Sequence, residues 1–181
     1  FLYQLLPYRH YHGVEHFNST VITLGPREEL ASGPLYEDFM GVSSHELFHA
    51  WNVIRIRPHA LSPYDFAKEN YFDTGYVAEG FTTYYGDLFL VRSQVFDIDW
   101  YLKELNKLFK RHFDNYGRFN CSVMEASFDL WLDGYTAGIP HRKTSIYTKG
   151  AIVALMLDLD LRQKTAHRSS LDDLMRLLWQ Q

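Results

Sequence analysis

His45-Glu46-Leu47-Phe48-His49 constrains this chain more than any other stretch. In a helix of about 3.6 residues per turn, positions four apart stand nearly above one another. His45 and His49 therefore aim two imidazoles at one point, and Glu46 flanks them within reach of a water there. HExxH on a helix is the signature of a zinc hydrolase, with both histidines as ligands. The alternative is two ordinary helix histidines beside a solvated Glu. The flanks weigh against it, because Phe39, Met40, Val42, Leu47, Phe48, Ala50 and Trp51 predict a buried helix. Buried polar groups without partners are costly, and a metal ion supplies the partner.

Catalytic zinc takes three protein ligands and keeps a fourth position open. Thirty residues past His49, the stretch Val77-Ala78-Glu79-Gly80-Phe81-Thr82-Thr83-Tyr84-Tyr85 contains a single acid, Glu79, among apolar and aromatic neighbours. An acid in such surroundings is seldom left unpaired, which makes Glu79 the candidate third ligand for one zinc ion per chain. The competing reading is a Glu at a helix N-terminus, favoured there by the helix dipole. Thr83 and Asp87 follow on the same face, either as supports for the ligand histidines or as solvated side chains.

Four separated segments resemble the glycyl aminopeptidase family of gluzincin metallopeptidases, many of which carry a PDZ domain after the catalytic unit. The first is Gly13-Val14-Glu15-His16 with Ser19-Thr20, similar to the family's Gly-Leu-Glu-His element. The second is His45 to Asn52, followed by Arg55-Ile56-Arg57-Pro58. The third is Glu79 to Tyr85. The fourth, Ser145-Ile146-Tyr147-Thr148-Lys149-Gly150, resembles the Tyr-x-Lys-Gly element of gluzincin aminopeptidases. The resemblance runs from about Tyr11 to Trp179. It implies a mainly α (α+β) fold, a thermolysin-like catalytic domain with a short β element near the N-terminus. It implies a zinc aminopeptidase that hydrolyses the N-terminal peptide bond, with a preference for small residues such as Gly or Ala. It also implies that Glu15 holds the substrate's free amine and that the Tyr147 hydroxyl stabilises the tetrahedral intermediate. On the residues alone, Glu15 reads equally as a surface strand acid, and Tyr147 as a helix-start tyrosine in water.

The match has departures. Val14 replaces the commoner Leu, and Asp133 to Arg142 differs from the family pattern, which bears on the substrate rim. Neither a PDZ-like stretch nor the family's amino-terminal β domain is present, and the last run, Leu171 to Gln181, is helical to its end. Residues 1–181 are therefore expected to be one catalytic domain excised from a longer protein.

Composition fits that picture. Of 181 residues, 46% are hydrophobic, enough for a substantial core. Eighteen basic and 22 acidic side chains give a net charge of −4, which offers no reason to propose nucleic acid as a partner. Cys121 is alone, excluding an intrachain disulfide, and reads as a small buried hydrophobe. The longest apolar run, Ala151 to Leu157, is far too short to span a membrane. A soluble protein, cytoplasmic or periplasmic, is expected.

Along the chain, residues 11–24 predict strand, 38–52 the zinc-motif helix and 75–92 a second helix carrying Glu79 in its first turns. Apolar residues from Ile98 to Phe113 recur at helical spacing and predict an amphipathic helix. Ser122 to Asp133 predicts another. Lys149 to Arg162 is apolar almost all round and predicts a buried helix, and Ser169 or Ser170 caps a last one. His10, His12 and His16 share a parity, giving either a second metal site or a solvated face. Arg55 and Arg57 either bind a substrate carboxylate or brace the loop after the zinc helix. Two further functions stay open at this point: a zinc endopeptidase and a non-catalytic peptide-binding module.

Overall fold

The computed structural model describes residues 1–31, 33–133 and 139–180. It is mostly helical, with a three-stranded sheet at the N-terminus. The strands are β1 (Leu2–Leu5), β2 (His10–Glu15) and β3 (Thr20–Gly25). β3 is central, parallel to β1 and antiparallel to β2. The sequence reading made residues 11–24 one strand. They form a hairpin instead, closed by the His16 amide donating to the Ser19 carbonyl at 2.8 Å. The β-branched run Thr20-Val21-Ile22-Thr23 suits a pleated, half-buried surface. Its inward residues Ile22 and Leu24 are fully buried against Leu35 and Val42 of the first helix.

That helix, α1, spans Pro34–Phe48. Gly33, at φ 69°, turns the chain into it, and Pro34 takes the first helical position, where a missing N–H costs nothing. α1 thus starts four residues earlier than the apolar pattern suggested. It also stops earlier, and His49 is its C-terminal cap residue, still donating its amide to the His45 carbonyl at 3.3 Å.

The predicted second helix has two parts. A π-turn covers Tyr76–Gly80, and α2 continues over Phe81–Arg92. Then come α3 (Ile98–Asp114), capped by Asp97, and the short α4 (Val123–Phe128) and α5 (Leu130–Asp133) where one helix was expected. Of the divergent stretch Asp133 to Arg142, residues 134–138 lie outside the described set, as does Gln181. The chain finishes with α6 (Ile146–Lys164) and α7 (Leu171–Trp179).

The main core joins α1, α2, α6 and α7 through Phe48, Phe81, Tyr84, Tyr85, Ala151, Ala154, Leu171 and Met175. Phe48 and Tyr85 stack with ring centres 4.5 Å apart. Asp158 fastens α7 to this body: it accepts from the Tyr84 hydroxyl at 2.8 Å, the Leu171 amide at 2.7 Å and Arg162 at 2.9 Å. α6 is not buried all round, because Met156 and Leu159 on its outer face are exposed. Only the face bearing Ala151, Ala154 and Asp158 meets the core. Among the described residues, no helix is long and apolar enough to cross a membrane.

Candidate metal centre and active site

Two adjoining helical segments bring His45, His49 and Glu79 together. The α1–α2 approach is close because α2 presents Gly86, where a Cβ would stand 3.3 Å from the His45 backbone. The Ser44 hydroxyl donates to the Gly86 carbonyl at 2.7 Å across the same contact. Glu79 sits in the π-turn, a form that recurs at functional sites because its wide turn aims side chains a regular helix does not.

His45 Nε2 and His49 Nε2 are 3.1 Å apart, and each lies 3.3 Å from Glu79 Oε2. A tetrahedral ion with bonds of about 2.0–2.1 Å has ligand-to-ligand edges of about 3.3–3.4 Å, so the three atoms fit a zinc-sized cation. The chemistry of the donors agrees. His49, 1% exposed, places its Nδ1 2.7 Å from the Asn52 carbonyl. A carbonyl only accepts, so Nδ1 carries the proton and Nε2 of the neutral ring offers a lone pair to the centre. The Glu79 carboxylate beside it favours protonation of that nitrogen. Burial pushes the His49 pKa down, but the Glu79 carboxylate outweighs it and raises it to about 9. Burial would raise Glu79, yet the two imidazoles hold it down at about 2. A metal ion held by these three residues would supply positive charge at that point in place of a proton.

Glu46, the fourth residue of the motif region to consider, is 6% exposed and faces β2. Its Oε2 accepts from the Thr20 hydroxyl at 3.3 Å. β2 lies against it at Gly13, where a Cβ would fall 2.3 Å from Glu46 Oε1. Burial raises the Glu46 pKa, opposed by the neighbouring imidazoles, which suits a carboxylate that accepts a proton. Glu15, at the end of β2, joins Glu46 and His49 in a second group whose ligand-type atoms lie within 4.8 Å of one another. Tyr147, in the first turn of α6, has its ring centre 6.4 Å from that of His45. α6 is held near by glycines: a Cβ on Gly150 would meet the Tyr76 carbonyl at 2.6 Å, and one on Gly80 would meet Gly150 Cα at 2.4 Å. All six residues line one cavity of about 580 Å³, which reaches on past Asp87, Trp100 and Arg111.

Other expectations resolve differently. Thr83 donates to the Glu79 carbonyl at 2.9 Å rather than to a ligand histidine. Asp87 lines the far part of the cavity, where burial raises its pKa to about 7. The support of His49 is Asn52, which the sequence displayed beside the motif without a chemical cue to its role. His10 and His12 stand edge to face at 6.4 Å, His16 lies beyond the strand, and these histidines form no ligand group among the described residues. Arg55 donates to the Ala50 carbonyl and lies over Trp179, bracing the loop after α1.

Comparison with known proteins shows the family and the fold. Among curated proteins, none matches the chain. A crystal structure of an aminopeptidase N family protein from Idiomarina loihiensis superposes with a TM-score of 0.89 at 33% sequence identity. The match covers 99% of this chain and 32% of that one. The family model of the M61 glycyl aminopeptidases matches residues 38–153, which include HExxH, Glu79 and Tyr147. With that match over more than half its length, the chain belongs to the M61 glycyl aminopeptidase family.

Proposed function

We propose that this chain is the catalytic unit, residues 1–181, of a zinc-dependent aminopeptidase that removes N-terminal residues from peptides. The observation that carries the reading is the 3.1–3.3 Å triangle of His45, His49 and Glu79 atoms, with the Glu46 and Glu15 carboxylates beside His49. His45, His49 and Glu79 hold the zinc, which when bound supplies Lewis acidity and lowers the pKa of water toward about 7.

The protein's own groups do the rest. Glu46 removes a proton from the attacking water and returns it to the leaving amine. Its buried position keeps bulk water from competing, and the Thr20 hydroxyl orients it. Tyr147 donates its hydroxyl proton in a hydrogen bond to the scissile carbonyl oxygen as charge develops there. Glu15 pairs with the substrate's ammonium group, which sets the register at one residue from the N-terminus. A peptide is the substrate class, and a preference for Gly or Ala follows only from the family.

The test is hydrolysis of glycyl- and alanyl-p-nitroanilide, before and after dialysis against a chelator, beside N-acetylated versions of the same compounds. Activity that falls on chelation, returns with zinc and disappears on acetylation supports the reading. Undiminished cleavage of the acetylated compounds makes the protein an endopeptidase. No cleavage by the zinc-loaded protein leaves a peptide-binding module.

A further inference from the structure

We propose that Asn52 is the positioning residue that ties the two halves of the metal site into one unit. This rests on His45, His49 and Glu79 being the ligands. Asn52 is 2% exposed and works in two directions. Its backbone carbonyl accepts from His49 Nδ1 at 2.7 Å, which holds the ring in the tautomer that points Nε2 at the centre. Its side-chain amide crosses to the π-turn, where Nδ2 lies 2.8 Å from the Val77 carbonyl, 3.2 Å from the Ala78 carbonyl and 3.1 Å from the Thr82 hydroxyl oxygen, its two N–H groups shared among these three acceptors. Glu79 is the next residue after Ala78. One side chain therefore holds the backbone that aims Glu79, while the same residue's main chain holds His49.

The arrangement answers a problem built into the π-turn. A π-turn bonds each carbonyl to the amide five residues on rather than four, a rarer register that donors from outside the helix favour. Thr82 supplies one at 2.5 Å to Ala78, and Asn52 supplies the others. The Thr82 hydroxyl also lies 3.4 Å from the Asn52 carbonyl, closing a ring between the end of α1 and the turn. Without the amide, nothing else described fastens the Val77 carbonyl from the α1 side, and the turn is free to rewind as regular helix. That rotates Glu79 away from the imidazoles.

Two measurements on the purified protein test this. The first is zinc affinity by competition with a chromophoric chelator, for the wild type, Asn52→Ala and Asn52→Leu. Leu keeps the branched shape but has no donor, so it separates packing from hydrogen bonding. Tyr84→Phe, which removes a buried bond to Asp158 elsewhere in the core, shows what lost stability alone does. Both Asn52 variants keep the carbonyl that holds His49 but lose the amide that holds the turn bearing Glu79, and zinc affinity falls by about 10-fold or more, the scale of a lost supporting partner, against less than about twofold in Tyr84→Phe. The second is hydrogen exchange of the metal-free protein. The amides of residues 76–83 exchange at least about tenfold faster in Asn52→Leu, with those of α7 unchanged. Wild-type zinc affinity in Asn52→Leu, or equal loss in Tyr84→Phe, overturns the inference while the functional reading stands. Unchanged exchange over 76–83 overturns it as well. A wild-type protein that takes up no zinc overturns the functional reading and this inference with it.

Discussion

Gly13→Ala separates catalysis from stability at this site. The added Cβ falls 2.3 Å from Glu46 Oε1, 2.7 Å from Cδ and 2.9 Å from Cγ, all inside contact distance. β2 has no freedom to withdraw, since Gly13 is paired with Ile22, which is fully buried against α1. The Glu46 carboxylate is the end of a flexible side chain, so it moves instead. Moving it sacrifices one long hydrogen bond to Thr20, at 3.3 Å, a loss of about 1 kcal/mol. For a chain of this size that lowers Tm by about 2–4 °C. The catalytic consequence is larger, because displacing a general base by about 1 Å costs on the order of 10²-fold in rate, or about 2.7 kcal/mol of barrier. His45, His49 and Glu79 are untouched. Steady-state kcat on glycyl-p-nitroanilide, a chelator titration and a thermal melt read the three quantities separately. Wild-type kcat in a folded, zinc-loaded Gly13→Ala protein refutes the placement of Glu46 as the base.

Four further outcomes follow from the same geometry. Glu46→Gln keeps zinc but abolishes turnover, read by metal analysis beside kcat. Tyr147→Phe lowers kcat by about 10²–10³-fold with zinc affinity unchanged, and kcat within a few-fold of wild type would place Tyr147 outside the reaction. The metal-free protein has a pH window of stability set by two shifts. The Glu79 pKa, lowered from 4.5 to about 2, contributes stability above 4.5 that is lost as pH falls toward 2. The His49 pKa, raised from 6.5 to about 9, contributes stability below 6.5 that is lost as pH rises through 9. Melts in chelator should therefore peak between about pH 4.5 and 6.5, and a flat profile from 6 to 9 contradicts the pairing. For Asp87, burial raises the pKa from 3.8 to about 7, so its ionised form opposes folding increasingly as pH rises between those values. Asp87→Asn should stabilise the protein above pH 7 and leave it unchanged below about 3.8 in urea melts; equal curves at high pH contradict the burial argument.

Much of the site could be read from local spacing. The i, i+4 histidines and the acid beside the first depend only on helix geometry, and the lone acid in the run Val77 to Tyr85 stands out against its apolar neighbours. What stayed hidden depends on contacts distant in sequence. Asn52 reaches into the π-turn, and Gly80 and Gly150 let α6 press against it, and neither contact leaves a periodicity. The hairpin reads as one strand in the sequence because its reversal, His16-Phe17-Asn18-Ser19, carries only the weaker turn residues Asn18 and Ser19, without Gly or Pro. β1 was missed because its stability comes from parallel pairing with residues nearly twenty positions away. The exposed leucine and methionine on α6 show the limit of composition, since an all-round apolar helix need not be covered on every side.

The proposed reaction rests on one cation seated among His45, His49 and Glu79. Diffraction from crystals of the zinc-loaded protein, recorded on both sides of the zinc absorption edge, tests it most directly. One anomalous peak per chain is expected, about 2.0–2.2 Å from His45 Nε2, His49 Nε2 and a Glu79 carboxylate oxygen. A peak bound by other residues, or none at saturating zinc, would contradict it.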